Sequence, residues 1–272
     1  MSTAPPPTDV FSGTSGLVSG VRATTRALVA DAVCDAASLA TLTPWRLRRA
    51  AQSGPPRRVL VLAVERRDVP NVLAAARDEL HRSRHHVTFA AVDVGTRGKF
   101  QNLNDLLAAH TPQGHDWLLL LDDDVVLPRG FLDVFLFLAE RFDLALAQPA
   151  HRHRSHAAWA VTRRRPGVLA RETRFVEIGP VSALRADTFD ALLPFPSLRW
   201  GWGLDLHWSA LAGRQGWREG IVDATPVRHG LRQIATGYDR GDAVAESQTF
   251  LSDHPYTTAT EAQRTLAVHR RL

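Results

Sequence analysis

Cysteine is almost absent. Cys34 stands alone, so neither an intramolecular disulfide nor a cysteine-rich zinc site is available to this chain. Lysine is nearly missing too: Lys99 is the only one, and arginine supplies the remaining basic charge. The 33 basic residues are spread among 28 acidic ones, so the net charge of +5 forms no concentrated basic tract and no nucleic-acid partner is expected. Long apolar runs are lacking, since RALVADAVCDAASLATL is broken by Asp31 and Asp35. With no basic stretch in the opening MSTAPPPTDV, neither a membrane span nor a signal peptide is expected. A reducing, cytoplasmic location fits.

What is present is ample apolar content, 44% of 272 residues, enough for one large α/β domain or two small ones. Residues 1–56 read as an N-terminal extension, disordered in part and then helical from Gly16 to about Ala51, closing on the linker QSGPPRR. Its aromatic, basic end TPWRLRRA allows a peripheral membrane contact, against the plainer reading of a helix packed on the domain or a partner. From Arg57 strand-length runs alternate with helical spacing: RRVLVLAV, NVLAAARDELHRS, HHVTFAAVDV, FQNLNDLLAAH and DWLLLLDDDVV. That alternation predicts an α/β fold with a mostly parallel central sheet flanked by helices. Residues 57–240 are assigned to this domain and 241–272 to a polar tail, mobile or folded over the ligand as a lid. The stretch HRHRSHAAWAVTRRRPG carries too many cations for a buried strand and reads as a basic loop, solvated or facing an acceptor.

In WLLLLDDD, Asp122, Asp123 and Asp124 follow a strand with no polar alternation, as expected for one buried on both faces. They leave it at its carboxyl end, where open parallel sheets bind ligands. Three adjacent carboxylates repel one another, and Mg²⁺ or Mn²⁺ bridging substrate phosphates resolves the conflict. One helix cap needs a single Asp. On VDVGTRGKFQNLNDLL followed by DWLLLLDDDVVLPRGFL, roughly Arg57 to Gly230 resembles the family-2 glycosyltransferases of GT-A fold, whose DXD motif holds a metal-bound nucleotide diphosphate sugar. The resemblance implies a hexosyltransferase-like enzyme in which Asp93 contacts the nucleobase or ribose, Asp122 lies on the ribose side with Asp123, Lys99 lies near the nucleotide, and Asp124 binds the metal. An ordinary strand-end turn competes for Asp93 and a solvated charge for Lys99.

WGWGLDLHW sets tryptophans and glycines around Asp205, at the start of the apparent helix LDLHWSALAGRQG. Asp205 is the candidate general base, with a plain helix cap as the competing reading. The resembling family often carries a Glu-Asp pair here, whereas this chain has Leu204 before Asp205. Trp200 and Trp202 offer flat faces to a sugar, and Gly201 and Gly203 allow close backbone approach. Trp208 is expected in the core. His229, ending GWREGIVDATPVRHG, is by the same resemblance the second expected metal ligand, and an imidazole suits Mn²⁺ better than Mg²⁺. Glu177 in FVEIGPV is expected to line the acceptor side without a chemical role. The resulting reading is a metal-dependent, inverting transfer from a nucleotide diphosphate sugar to an unidentified acceptor hydroxyl. A nucleotidyltransferase on a related fold and a non-catalytic sugar- or partner-binding protein compete with it, though AVERRDVPNV lacks the glycine-rich loop of the former.

Overall fold

The computed structural model describes residues 9–13, 16–230 and 239–272. Two helices, α1 (Val21–Ala40) and α2 (Thr43–Ala51), precede the sheet. Then follow β1 (Arg58–Glu65), α3 (Leu73–His81), β2 (His86–Asp93), α4 (Lys99–Ala109), β3 (Trp117–Asp122), β4 (Val125–Val126) and α5 (Phe131–Arg141). The second half holds β5 (Leu144–His151), β6 (Ala170–Thr173), β7 (Val181–Arg185), the short α6 (Phe189–Leu192), α7 (Leu204–Gln215) and β8 (Arg218–His229). It closes with α8 (Arg240–Asp253), α9 (Ala259–Ala262) and β9 (Thr265–His269).

The central sheet has the order β2-β1-β3-β7-β5-β8-β6-β9, with β4 paired to β8. Its first three strands are parallel, and β5 runs parallel to β8. By contrast β7 is antiparallel to both β3 and β5, and β6 to both β8 and β9. The sheet is therefore mixed rather than mostly parallel. Helical crossovers enforce parallel pairing in the first half, whereas β5 is joined to β6 without a long helix and the chain reverses there, so that β6 and β7 both run against β5 and β8.

Both faces of the sheet are covered, and single strands show it. Leu60 and Leu62 of β1 face the core formed with Phe100 and Leu103 of α4 and with Trp208 of α7. Val59, Val61 and Ala63 face the opposite core, formed with Leu80 of α3 and Phe135 of α5. Leu118 and Leu120 of β3 join the first core, and Trp117, Leu119 and Leu121 the second. The continuous apolar runs thus serve two cores at once, each fully buried leucine contributing about 2 kcal/mol.

The extension is helical as expected, although Leu42, in a left-handed conformation, divides it into two helices. The expected disorder of its start falls on residues 1–8 and 14–15, outside the described residues. Residues 241–272 are no simple tail, because β9 forms the edge of the sheet against β6. Of the stretch after Tyr238, expected to be mobile or a lid, Arg240 at the start of α8 lines the cleft at the strand ends, and the remainder forms α8, α9 and β9. The arginine-rich stretch is not simply a solvated loop, since several of its arginines are held by the domain, and its Ala158 and Trp159 line the cleft at the strand ends. Arg152 and Arg164 pair with Asp35 of α1, and Arg163 donates to the carbonyls of Arg152, His153 and Ser155. Arg171, inside β6, forms a two-pronged pair with Asp223 of β8, both side chains fully buried.

Candidate active site

Register sets the floor of the site. Glu65 of β1 stands opposite Asp93 of β2, and Val64 opposite Asp122 of β3, so the parallel strands end together. A cleft of about 830 Å³ opens over these ends. It is lined by Asp93, Lys99, Asp122, Asp123, Asp124, Trp200, Trp202, Gly203, Asp205 and His229, so residues far apart in sequence converge on one space.

The three aspartates diverge because β3 ends at Asp122 and the chain turns through Asp123 and Asp124 before β4. Asp122 pairs with Lys99, whose Nζ also donates to the Ile178 carbonyl (3.2 Å). Gly179 makes room for that pair, since a Cβ there would lie 2.9 Å from Asp122 Oδ2. Asp123 turns the other way and accepts from the Arg66 amide (2.7 Å), while its carbonyl accepts from Val72, anchoring the loop between β1 and α3. Asp124 meets His229 Nε2 at 3.1 Å. The β4–β8 pairing creates that meeting, because it sets Val125 opposite His229. Burial lowers the His229 pKa, but the hydrogen bond to Asp124 and the charges of Asp124, Asp122 and Glu177 raise it overall. Asp93, the last residue of β2, accepts from the Gly95 amide (3.0 Å) in the turn that follows, and also lines the cleft.

Among the described residues no three His, Cys, Asp or Glu side chains are grouped to hold a metal ion. Asp124 and His229 offer one carboxylate and one imidazole on the cleft wall. By donor chemistry that pair would suit a divalent cation such as Mn²⁺ that takes its other ligands from outside the chain.

Gly203, at φ +86°, starts α7 and places Asp205 in its first turn, where Oδ1 accepts from the Leu206 amide (3.0 Å). Asp205 is only 6% exposed. Burial, and secondarily the charge of Glu177, push its pKa up to about 7, against the opposing effect of backbone N–H donors. Glu177 lines the same cleft. Glu177 Oε2 meets His151 Nε2 at 3.1 Å and its amide donates to Gln148. A lone acid inside the apolar run FVEIGPV was the available signal for it. Behind Asp205, Glu219 is buried and bonded to Ser209 Oγ (3.0 Å); burial pushes its pKa up to about 8.

The glycines of the tryptophan motif are required by packing, and Gly203 also lines the cleft. A Cβ at Gly201 (φ +80°) would lie 2.2 Å from the Phe100 ring, and one at Gly203 would lie 2.8 Å from Leu251 and from Ser247 of α8. Glu246 of α8 then clamps the loop, its carboxylate accepting the amides of Arg199, Trp200 and Gly201. Trp202 meets Phe11 edge-on at 6.1 Å, and Arg240 stands 5.7 Å over its ring. Trp208 is buried in the core, as expected. Phe11, Arg240 and Glu246 escaped the sequence reading because they reach the motif from the chain's two ends.

A mixed α/β sheet flanked by helices, with an acidic cleft at the ends of its parallel strands, defines the class. The model of the glycosyltransferase-like family 2 matches residues 46–219, and the chain belongs to that family. His229 and Glu246 lie beyond the matched residues. Two solved structures are similar in part. The crystal structure of GalNAc-T7 with UDP, GalNAc and Mn²⁺ shares 11% identity over 72% of this chain and 48% of that one, with a TM-score of 0.48. The crystal structure of A197 from STIV shares 12% identity over 65% of this chain and 87% of that one, with a TM-score of 0.45. This chain spans about half the length of the GalNAc-T7 chain. No curated protein matches it.

Proposed function

We propose that this protein is a metal-dependent, inverting glycosyltransferase that moves a hexose from a nucleoside diphosphate to an acceptor hydroxyl. The observation that carries the reading is a buried carboxyl group, Asp205, with a pKa of about 7, in the same cleft as the acids at the end of β3. Family membership supports the reaction class.

In this reading Asp93, Lys99 and Asp122 face the nucleotide, Asp123, held by the Arg66 amide, shapes the wall beside them, and Asp124 with His229 would hold Mn²⁺ or Mg²⁺. Held by these two residues, such an ion would supply positive charge to offset that of the departing nucleoside diphosphate. Trp200 and Trp202 form an aromatic wall for the sugar. Asp205 takes the acceptor hydroxyl proton as that oxygen bonds to the anomeric carbon and the bond from that carbon to the phosphate oxygen breaks, with inversion. A pKa near 7 suits this task, since the group is substantially ionised at neutral pH yet basic enough to accept a proton. Glu177 orients the acceptor hydroxyl.

Incubation with a panel of nucleotide sugars, Mn²⁺ and simple acceptor glycosides tests the reading. Release of a nucleoside diphosphate with formation of a glycoside is expected. Release of pyrophosphate would assign a nucleotidyltransferase instead. No turnover above the enzyme-free rate with any donor would favour a binding protein.

A further inference from the structure

Helix α1 is turned inside out. A helix packed on a globular domain ordinarily buries its apolar stripe and exposes its charges. Here the acids face inward: Asp31 is 4% exposed and accepts the amides of His153 and Arg154, and Asp35 binds Arg152 and Arg164. The apolar side chains face outward instead. Val21, Leu28, Val29, Val33 and Leu39 are between 46% and 84% exposed, and the face continues through Leu42 and Trp45 at 62% and 60%. Contiguous exposed apolar surface of this kind marks a contact site.

Charge says what covers it. Asp31 and Asp35 are the only acids of α1 and α2, and both are engaged with the domain. The remaining charges of these helices, Arg22, Arg26, Arg46, Arg48 and Arg49, are all basic and exposed. A second copy of the chain would bring the same five arginines against them and be repelled. An anionic bilayer surface satisfies both features, because apolar side chains enter the acyl boundary while arginines meet lipid phosphates and tryptophan sits at headgroup level. The geometry favours lying on a membrane over crossing it. No single helix among the described residues is long and apolar enough to cross, and α1 and α2 are bent by 63° with Asp31 held against the domain.

We propose that the outer face of α1 and α2 docks this protein on an anionic lipid surface. The proposal does not rest on sugar transfer, and its test needs no turnover. The full-length chain is sedimented with vesicles of phosphatidylcholine alone or of phosphatidylcholine mixed with phosphatidylglycerol. The native chain is expected to sediment with the mixed vesicles, far less with the neutral ones, and less as salt is raised. Two variants, Val29→Glu with Val33→Glu and Arg46→Glu with Arg49→Glu, each lower vesicle affinity about tenfold or more. Their circular dichroism and Tm stay unchanged, since all four side chains are exposed. A native chain left in the supernatant with anionic vesicles would overturn the proposal, as would variants that bind like the native chain. So would a native dimer that Val29→Glu with Val33→Glu converts to a monomer in the absence of lipid, which would make this face a protein interface.

Discussion

Asp205→Asn lowers sugar transfer by about 10² to 10⁴-fold and leaves donor affinity near the native value. Asparagine has the size of aspartate, and its carbonyl oxygen can still accept the Leu206 amide that Asp205 accepts, so the start of α7 is preserved. What disappears is the proton acceptor. The pH profile separates this role from a plain helix cap. With a pKa of about 7, raised by burial and by Glu177, Asp205 is mostly protonated in mildly acidic solution and cannot act as a base there. Native kcat/KM therefore climbs with pH through about 7 and falls roughly tenfold per unit well below it. A cap alone would give no such limb, and Asp205→Asn with undiminished turnover would remove the residue from the chemistry. Stability moves in the opposite sense. Because the folded chain holds this proton more tightly than the unfolded chain, the contribution is complete below the unfolded carboxylate range and is lost as pH rises toward 7.

Asp223→Ala is expected to destabilise the fold by about 3–5 kcal/mol, a large share of the stability of an ordinary domain. The side chains of Arg171 and Asp223 are fully buried, with bonds of 2.8 and 3.2 Å between them. Asp223 also accepts the Arg165 amide, and Arg171 donates to the carbonyls of Val161 and Arg163. Removing the carboxylate leaves a guanidinium in the interior without its counter-charge. The urea midpoint drops while the slope stays constant, as expected when stability changes but the exposed surface does not. Arg171→Met combined with Asp223→Leu recovers much of the loss, because no buried charge remains, although the carbonyls of Val161 and Arg163 lose a donor. If Asp223→Ala melts like the native chain, the pair does not hold β6 to β8.

The first half of the fold was legible because its chemistry is local. Val59 to Ala63 and Trp117 to Leu121 are uninterrupted apolar runs, and such runs with helical spacing between them signal crossover-linked parallel strands. The acids after Leu121 were legible as a strand-end cluster for the same reason, since polarity changes abruptly there. The direction of β7 was not, because five residues from Val181 to Arg185 carry periodicity but no polarity of pairing. Nor was the clamp on the tryptophan motif: Glu246 looks like any acid on an exposed helix until its carboxylate is seen accepting three backbone amides. Asp31 and Asp35 read as interruptions of an apolar helix, whereas their partners Arg152 and Arg164 lie more than a hundred residues away. Long-range ion pairs leave no local pattern. Asp205 was picked out by its neighbours in sequence, but its raised pKa comes from burial and secondarily from Glu177, which only the folded chain supplies.

The most direct measurement is calorimetric titration of UDP and of GDP into the native chain and into Asp124→Ala, each with and without Mn²⁺. One of the two nucleotides should bind the native chain at least about tenfold tighter with Mn²⁺, and Asp124→Ala should abolish that gain while leaving the weaker metal-free binding in place. Equal Mn²⁺-dependent affinity in the two proteins would contradict the assignment of the β3 acids to a metal-bound nucleotide.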